Sequence, residues 1–303
     1  MLILCIYRLR VLCVWSMCVF TAWEYCFFSA HLIKAFGNAP VHGHKATSLT
    51  SFLCLYLLLL EYWFGVKANI TLQSITKKLI EETMNALSKK RRAFWSEADF
   101  QFALSQELVL KLDATARIYL ERPIYATNQK DKYCVDIWIR IDNKVYPIEL
   151  KYATKKAEFI DGKDGTIFTS EQVAYDMTRF LYLYDIYRIE HIKSKVAETN
   201  LTFGKGFAII LTSDSNYYEL RRNPKGTLDE SFRIHENNKD FNPMIQWNNQ
   251  NKKTDHWTKT QTPYNKVFNL QSPISFEWKH FSTLKDIKSG KTMEYKFLVN
   301  EIK

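Results

Sequence analysis

The sequence predicts an α/β (α+β) protein built on a mixed β-sheet flanked by helices, and three observations carry that expectation. Tyr133 to Ile141 alternates as a strand does, with Val135, Ile137, Ile139 and Ile141 on one side and Asp136, Trp138 and Arg140 on the other. After the turn residues Asp142-Asn143, Val145 to Tyr152 returns with the same period. Helical patterns bracket this hairpin and the compact apolar run Gly206 to Leu211 follows them, giving the order α-β-β-β-α-β.

The individual elements follow from local pattern. Ile70 to Leu87 reads as a helix, because Ile75, Leu79, Ile80 and Met84 recur at helical spacing. The basic run Lys89 to Arg92 follows it. Ser96-Glu97-Ala98-Asp99 has the form of a capping box, and Phe100, Leu104 and Leu108 then share a helix face that ends near Leu112. Ile118 to Ile124 is a β-rich run that stops at the polar stretch Asn128 to Lys132. Beyond the hairpin, Lys155 to Phe168 is expected as a polar loop with two glycines. Thr169-Ser170-Glu171-Gln172 then caps a long helix to about Lys195, with Val173, Met177, Phe180, Leu181 and Tyr184 as its apolar stripe. Asn237 to Asn265 is Asn/Lys-rich and expected as a loop, whereas Phe276 to Phe281 and Tyr295 to Ile302 are expected to close a sheet edge.

Three regions result: an apolar N-terminal extension over 1–66, a core over 67–215, and a loop-rich and β extension over 216–303 that packs on the core. The 303 residues, 47% of them hydrophobic and 24% charged, suffice for a sizeable core and exclude a chain disordered throughout. The extension differs from the rest. Val11 to Ile33 and Leu49 to Val66 each approach membrane-spanning length, but Glu24 and Glu61 interrupt them. A membrane-anchored helical hairpin, a cleaved signal, and translated upstream sequence ahead of a start at Val66 or Met84 all fit, and the Cys-, Trp- and Phe-rich usage favours the last. Five of the six cysteines lie before Val66 and no C-x-x-C occurs, which argues against zinc-ribbon and thioredoxin-type sites. His42 and His44 lack further ligands nearby. The region after Val66 is expected to be cytoplasmic, with membrane anchoring through residues 1–66 as the alternative.

The net charge of +10 favours polyanions, either nucleic acid or an anionic membrane. The hairpin carries the specific chemistry. Period-two geometry sets Glu149 and Lys151 on one face of their strand, and Asp136 can share that face across the ladder. Two carboxylates between apolar strand residues are costly unless something binds them, and they suit a hard cation such as Mg²⁺. A neighbouring ammonium can orient the attacking water and offset transition-state charge. Lys155 and Lys156, just past this strand, could contact phosphates. Trp138, Trp247, Trp257 and Trp278 could stack on bases, although core positions suit them as well.

Glu97, Asp136, Glu149-Leu150-Lys151 and Gln172, in that order on these elements, resemble the PD-(D/E)XK nuclease superfamily over about Ser96 to Asp214. Val135 stands where that family's name-giving proline would be. The resemblance implies a restriction-endonuclease-like core and hydrolysis of phosphodiesters, in DNA first of all, with Mg²⁺ as cofactor and Mn²⁺ as a substitute. It implies Asp136 and Glu149 as metal ligands, Glu97 as an accessory acid, a backbone carbonyl from Leu150 or nearby Ile148 as a further ligand, and Lys151 as the catalytic lysine. Gln172 looks like the glutamine motif of RecB-like nucleases, against the simpler reading as the reciprocal residue of the Thr169 capping box. Arg179 is either a phosphate contact or the partner of Asp176 in a structural ion pair. A homodimer is compatible with the family. A non-catalytic relative that binds nucleic acid or a protein partner is the rival reading.

Overall fold

A computed structural model describes residues 74–125, 132–161, 165–171, 174–220, 226–248 and 266–303. The predicted N-terminal spans, Gln172, Val173 and Trp257 lie outside them. Every described element belongs to the unit Leu72–Lys303.

Two helices open it: α1 (Lys77–Lys90) and α2 (Glu97–Lys111). Ser96 caps α2 as its sequence requires, its Oγ accepting the Asp99 N–H at 3.1 Å. The Asp99 carboxylate reaches back to the Trp95 N–H, one residue before the cap. Strands β1 (Arg117–Tyr125), β2 (Lys132–Ile141) and β3 (Lys144–Ala153) form an antiparallel meander. Next come β4 (Ala157–Asp161) and β5 (Gly165–Thr169), helix α3 (Tyr175–Ala197), β6 (Thr202–Phe203) and β7 (Gly206–Thr212). Short strands β8 (Met244–Ile245) and β9 (Phe268–Asn269) pair with each other, and β10 (Lys279–Lys285) and β11 (Thr292–Ile302) end the chain.

The main sheet runs β1-β2-β3-β7-β11-β10, with β6 beside the start of β3. It is mixed, because β3 and β7 are parallel and the other long pairs antiparallel. Along β3 the side chains alternate between two cores. Tyr146, Ile148, Leu150 and Tyr152 join the α1/α2 face. Ala153 joins the α3 face, as do Ala208 and Ile210 of β7. β7 is buried along its whole length, as a parallel strand covered on both faces should be. Pro147, out of place in an uninterrupted ladder, falls where the parallel neighbour of β3 changes from β6 (at Val145) to β7 (at Ile148). Gly206 lets α3 approach closely: a Cβ there would lie 2.1 Å from Cγ2 of Ile189.

Two expectations are corrected. Lys155 to Phe168 is a β-hairpin, not a loop. Thr169 consequently ends a strand and donates its hydroxyl to the Lys155 carbonyl, so it caps no helix; α3 begins at Tyr175 without a side-chain cap. The two final strands close a sheet edge as expected, β11 pairing with β7 and β10 lying outermost. Among the described residues no helix is long and apolar enough to cross a membrane.

Candidate functional site

The site grows from a break in the sheet at Asp136. The β2–β3 ladder starts at Ile137↔Ile148, and the β1–β2 ladder skips the position between Leu120↔Ile137 and Arg122↔Val135. Asp136 therefore has no ladder partner on either side. Gln101 of α2 compensates: its amide donates to the Asp136 carbonyl at 2.6 Å and to Glu121 at 2.7 Å. Glu121, opposite the break, has a φ of 51°, a left-handed conformation that costs a non-glycine residue about 1–2 kcal/mol. Such strain tends to gather where structure is shaped for function. The freed Asp136 side chain crosses the gap, and its Oδ2 accepts the Leu150 N–H at 2.6 Å. Extending the β2–β3 register by one position sets Asp136 opposite Glu149.

Glu97 enters from the first turn of α2, where a carboxylate is favoured by the helix dipole, and its Oε2 accepts the Tyr152 N–H at 2.8 Å. Glu149 and Lys151 point to the other face, against α3. Lys151 Nζ lies 2.7 Å from Oδ2 of Asp185 and donates to the Leu150 carbonyl at 3.0 Å. Glu149 Oε1 accepts from Arg188 at 2.9 Å, and the same guanidinium reaches Asp185 at 2.8 Å and the Cys134 carbonyl at 3.0 Å. Glu149 and Asp185 are each only 2% exposed.

The electrostatics follow from crowding acids in a dry place. Burial, eased by the Leu150 hydrogen bond and by Lys151, raises the Asp136 carboxyl from its ordinary 3.8 to about 6. Burial and then the Asp185 carboxylate push Glu149 well above the carboxylate range, with Arg188 opposing. Glu97 is raised as well, again by burial first. For Lys151, burial works against the ammonium, but Asp185, Glu97 and Asp136 outweigh it and hold the pKa above the usual lysine value.

Four of the residues marked out by the sequence thus share one region: Glu97, Asp136, Glu149 and Lys151. The others lie elsewhere. Lys155 pairs with Asp214 at 3.2 Å, and Lys156 is exposed. Arg179 is 3% exposed and pairs with Asp229, so neither a surface phosphate contact nor an ion pair with Asp176 describes it. Asp176 accepts from the adjacent Met177 N–H. Trp138, Trp247 and Trp278 are buried. Sequence reading missed Gln101, Asp185 and Arg188. The signal for the last two is a pair of opposite charges at i, i+3 within the apolar stripe of a long helix, flanked by Leu183, Ile186 and Ile189.

Among the described residues, no three Asp, Glu, His or Cys side chains gather tightly enough to hold an ion as they stand. The donor set nevertheless suits a hard divalent cation. Four carboxylates, Glu97, Asp136, Glu149 and Asp185, face two cations, Lys151 and Arg188, which leaves two negative charges uncompensated when all are ionised. Comparisons of the chain with protein-family models, curated proteins and solved structures find no match.

Proposed function

We propose that this chain is a divalent-cation-dependent nuclease of the PD-(D/E)XK kind, on a restriction-endonuclease-like core, hydrolysing phosphodiester bonds, with DNA as its substrate. The observation that carries the reading is the break at Asp136, across which its carboxylate accepts the Leu150 N–H, between Glu149 and Lys151 in the next strand. Glu97 at the start of α2, with its carboxylate on the Tyr152 N–H of the same strand end, supports it. The order helix, meander, helix, parallel strand supports the core assignment.

Asp136 and Glu149 would hold Mg²⁺ or Mn²⁺, with Glu97 as accessory acid and the Leu150 carbonyl as a backbone donor. The ion supplies Lewis acidity toward a phosphoryl oxygen and lowers the pKa of water. A water attacks phosphorus in line, the opposite P–O bond breaks, and a phosphate monoester and an alcohol result. Lys151, held as an ammonium by its carboxylate neighbours, acts as a cation that offsets charge on the transition state; as a base it would be in the wrong protonation state. Asp185 fixes that ammonium in place.

The test is incubation of the full chain with supercoiled plasmid, linear duplex and RNA, in Mg²⁺, Mn²⁺ or EDTA. Cation-dependent nicking or linearisation of DNA is expected, and intact DNA under both metals would refute the enzyme. One observation favours a second reading. Glu149 and Lys151 already have internal partners on α3. A non-catalytic protein that binds nucleic acid would leave those pairs closed and retard DNA on a gel without any cation-dependent product.

A further inference from the structure

Helix α3 brings a charge that the proposed hydrolysis does not use. Arg188 is a three-way tie. One guanidinium nitrogen reaches Glu149 on β3 and the Cys134 carbonyl on β2, and the other reaches Asp185 on its own helix. Glu149 and Asp185 are nearly sealed from water, so each needs a counter-charge inside the protein. The Arg188 side chain, by contrast, is 21% exposed. It is therefore less deeply buried than either acid that it ties.

We propose that Arg188 is a resident counter-ion that occupies Glu149 in the cation-free protein and yields that carboxylate when a divalent cation binds. The inference rests on the reading of Glu149 as a metal ligand. Cation and guanidinium then compete for one acid. Arg188 stays tethered to Asp185 through its second nitrogen, so the exchange moves a side chain without unfolding the helix. By linkage, whatever stability the Arg188–Glu149 contact lends the cation-free protein is subtracted from the affinity of the ion. The device keeps two buried acids compensated in both states.

The test needs no substrate. Mn²⁺ is titrated calorimetrically into the full chain as wild type, R188M and R188K, and each is melted in EDTA and in Mn²⁺. R188M is expected to melt lower in EDTA, to bind Mn²⁺ roughly 5- to 150-fold more tightly, and to gain more melting temperature from Mn²⁺ than wild type does. Wild-type binding too weak to detect beside measurable binding by R188M is the extreme of the same result. R188K, which keeps a charge but not the planar fork, should fall between; it decides the matter alone if R188M does not fold in EDTA. Variants that bind Mn²⁺ no more tightly than a wild type that does bind it overturn the competition while leaving the metal site standing. Absence of Mn²⁺ binding in all three proteins overturns the metal site and the competition with it.

Discussion

The Asp136 carboxyl makes the clearest claim at the scale of a single residue. Its pKa is raised to about 6 in the folded protein, so the folded state binds that proton more tightly than the unfolded chain does. Its contribution to stability is favourable below the unfolded value of 3.8 and is lost as pH rises through about 6, a swing of about 3 kcal/mol. Asp136→Asn keeps an acceptor for the Leu150 N–H and removes the charge. In EDTA, denaturant unfolding should find this variant more stable than wild type at pH 7.5, by up to about 3 kcal/mol, with the difference fading near pH 4. Equal stabilities at both pH values would mean that the carboxylate is not held in a hostile setting. Asp136, Glu149 and Lys151 were legible from residue type and strand period alone. Gln101 was not, and Asp185 and Arg188 show locally only as opposite charges in an apolar helix stripe; that they meet Lys151 and Glu149 depends on which helix covers which face of the sheet, a long-range fact.

At the scale of elements, α3 matters as the carrier of Asp185 and Arg188, and its distance from the sheet is set at Gly206. Gly206→Ala would drive a methyl group into Ile189, and the helix must move or the core must strain. A loss of about 1–3 kcal/mol in thermal or denaturant unfolding is expected, with a fall in cleavage out of proportion to the fraction unfolded. Arg179, on the same helix, acts through its buried pair with Asp229. Arg179→Met should cost about 3–5 kcal/mol and leave DNA affinity unchanged at temperatures where the variant is folded, as unfolding and gel retardation can check. The start of α3 was misread for a definable reason. Thr169-Ser170-Glu171-Gln172 satisfies the capping-box pattern, but Thr is also a good strand residue. Pairing of β5 with β4 from Asp161↔Gly165 to Ala157↔Thr169, with Gly165 opening its strand at a φ of 81°, decides the matter against the cap.

For the whole molecule, the C-terminal strands are part of the sheet that bears the site. β11 lies against β7 from Lys296↔Thr212 to Ile302↔Gly206, and Tyr295, Phe297 and Val299 enter the same core as Ile148 and Leu150. A chain cut after residue 215 should therefore lose cooperative unfolding, which circular dichroism melts would reveal. The sequence marked both final strands and their place at a sheet edge, but not β7 as the partner of β11, since strand pairing across some 90 residues is a matter of loop closure and shape rather than local propensity. The central claim is that one cluster both holds a cation and cuts a phosphodiester. It is tested most directly by measuring Mn²⁺ affinity and single-turnover plasmid cleavage side by side for wild type, Asp136→Asn and Lys151→Met. Wild type should bind and cut, Asp136→Asn should lose both functions, and Lys151→Met should keep the ion but lose cleavage by at least about a hundredfold. Cleavage by either variant at the wild-type rate would contradict the account.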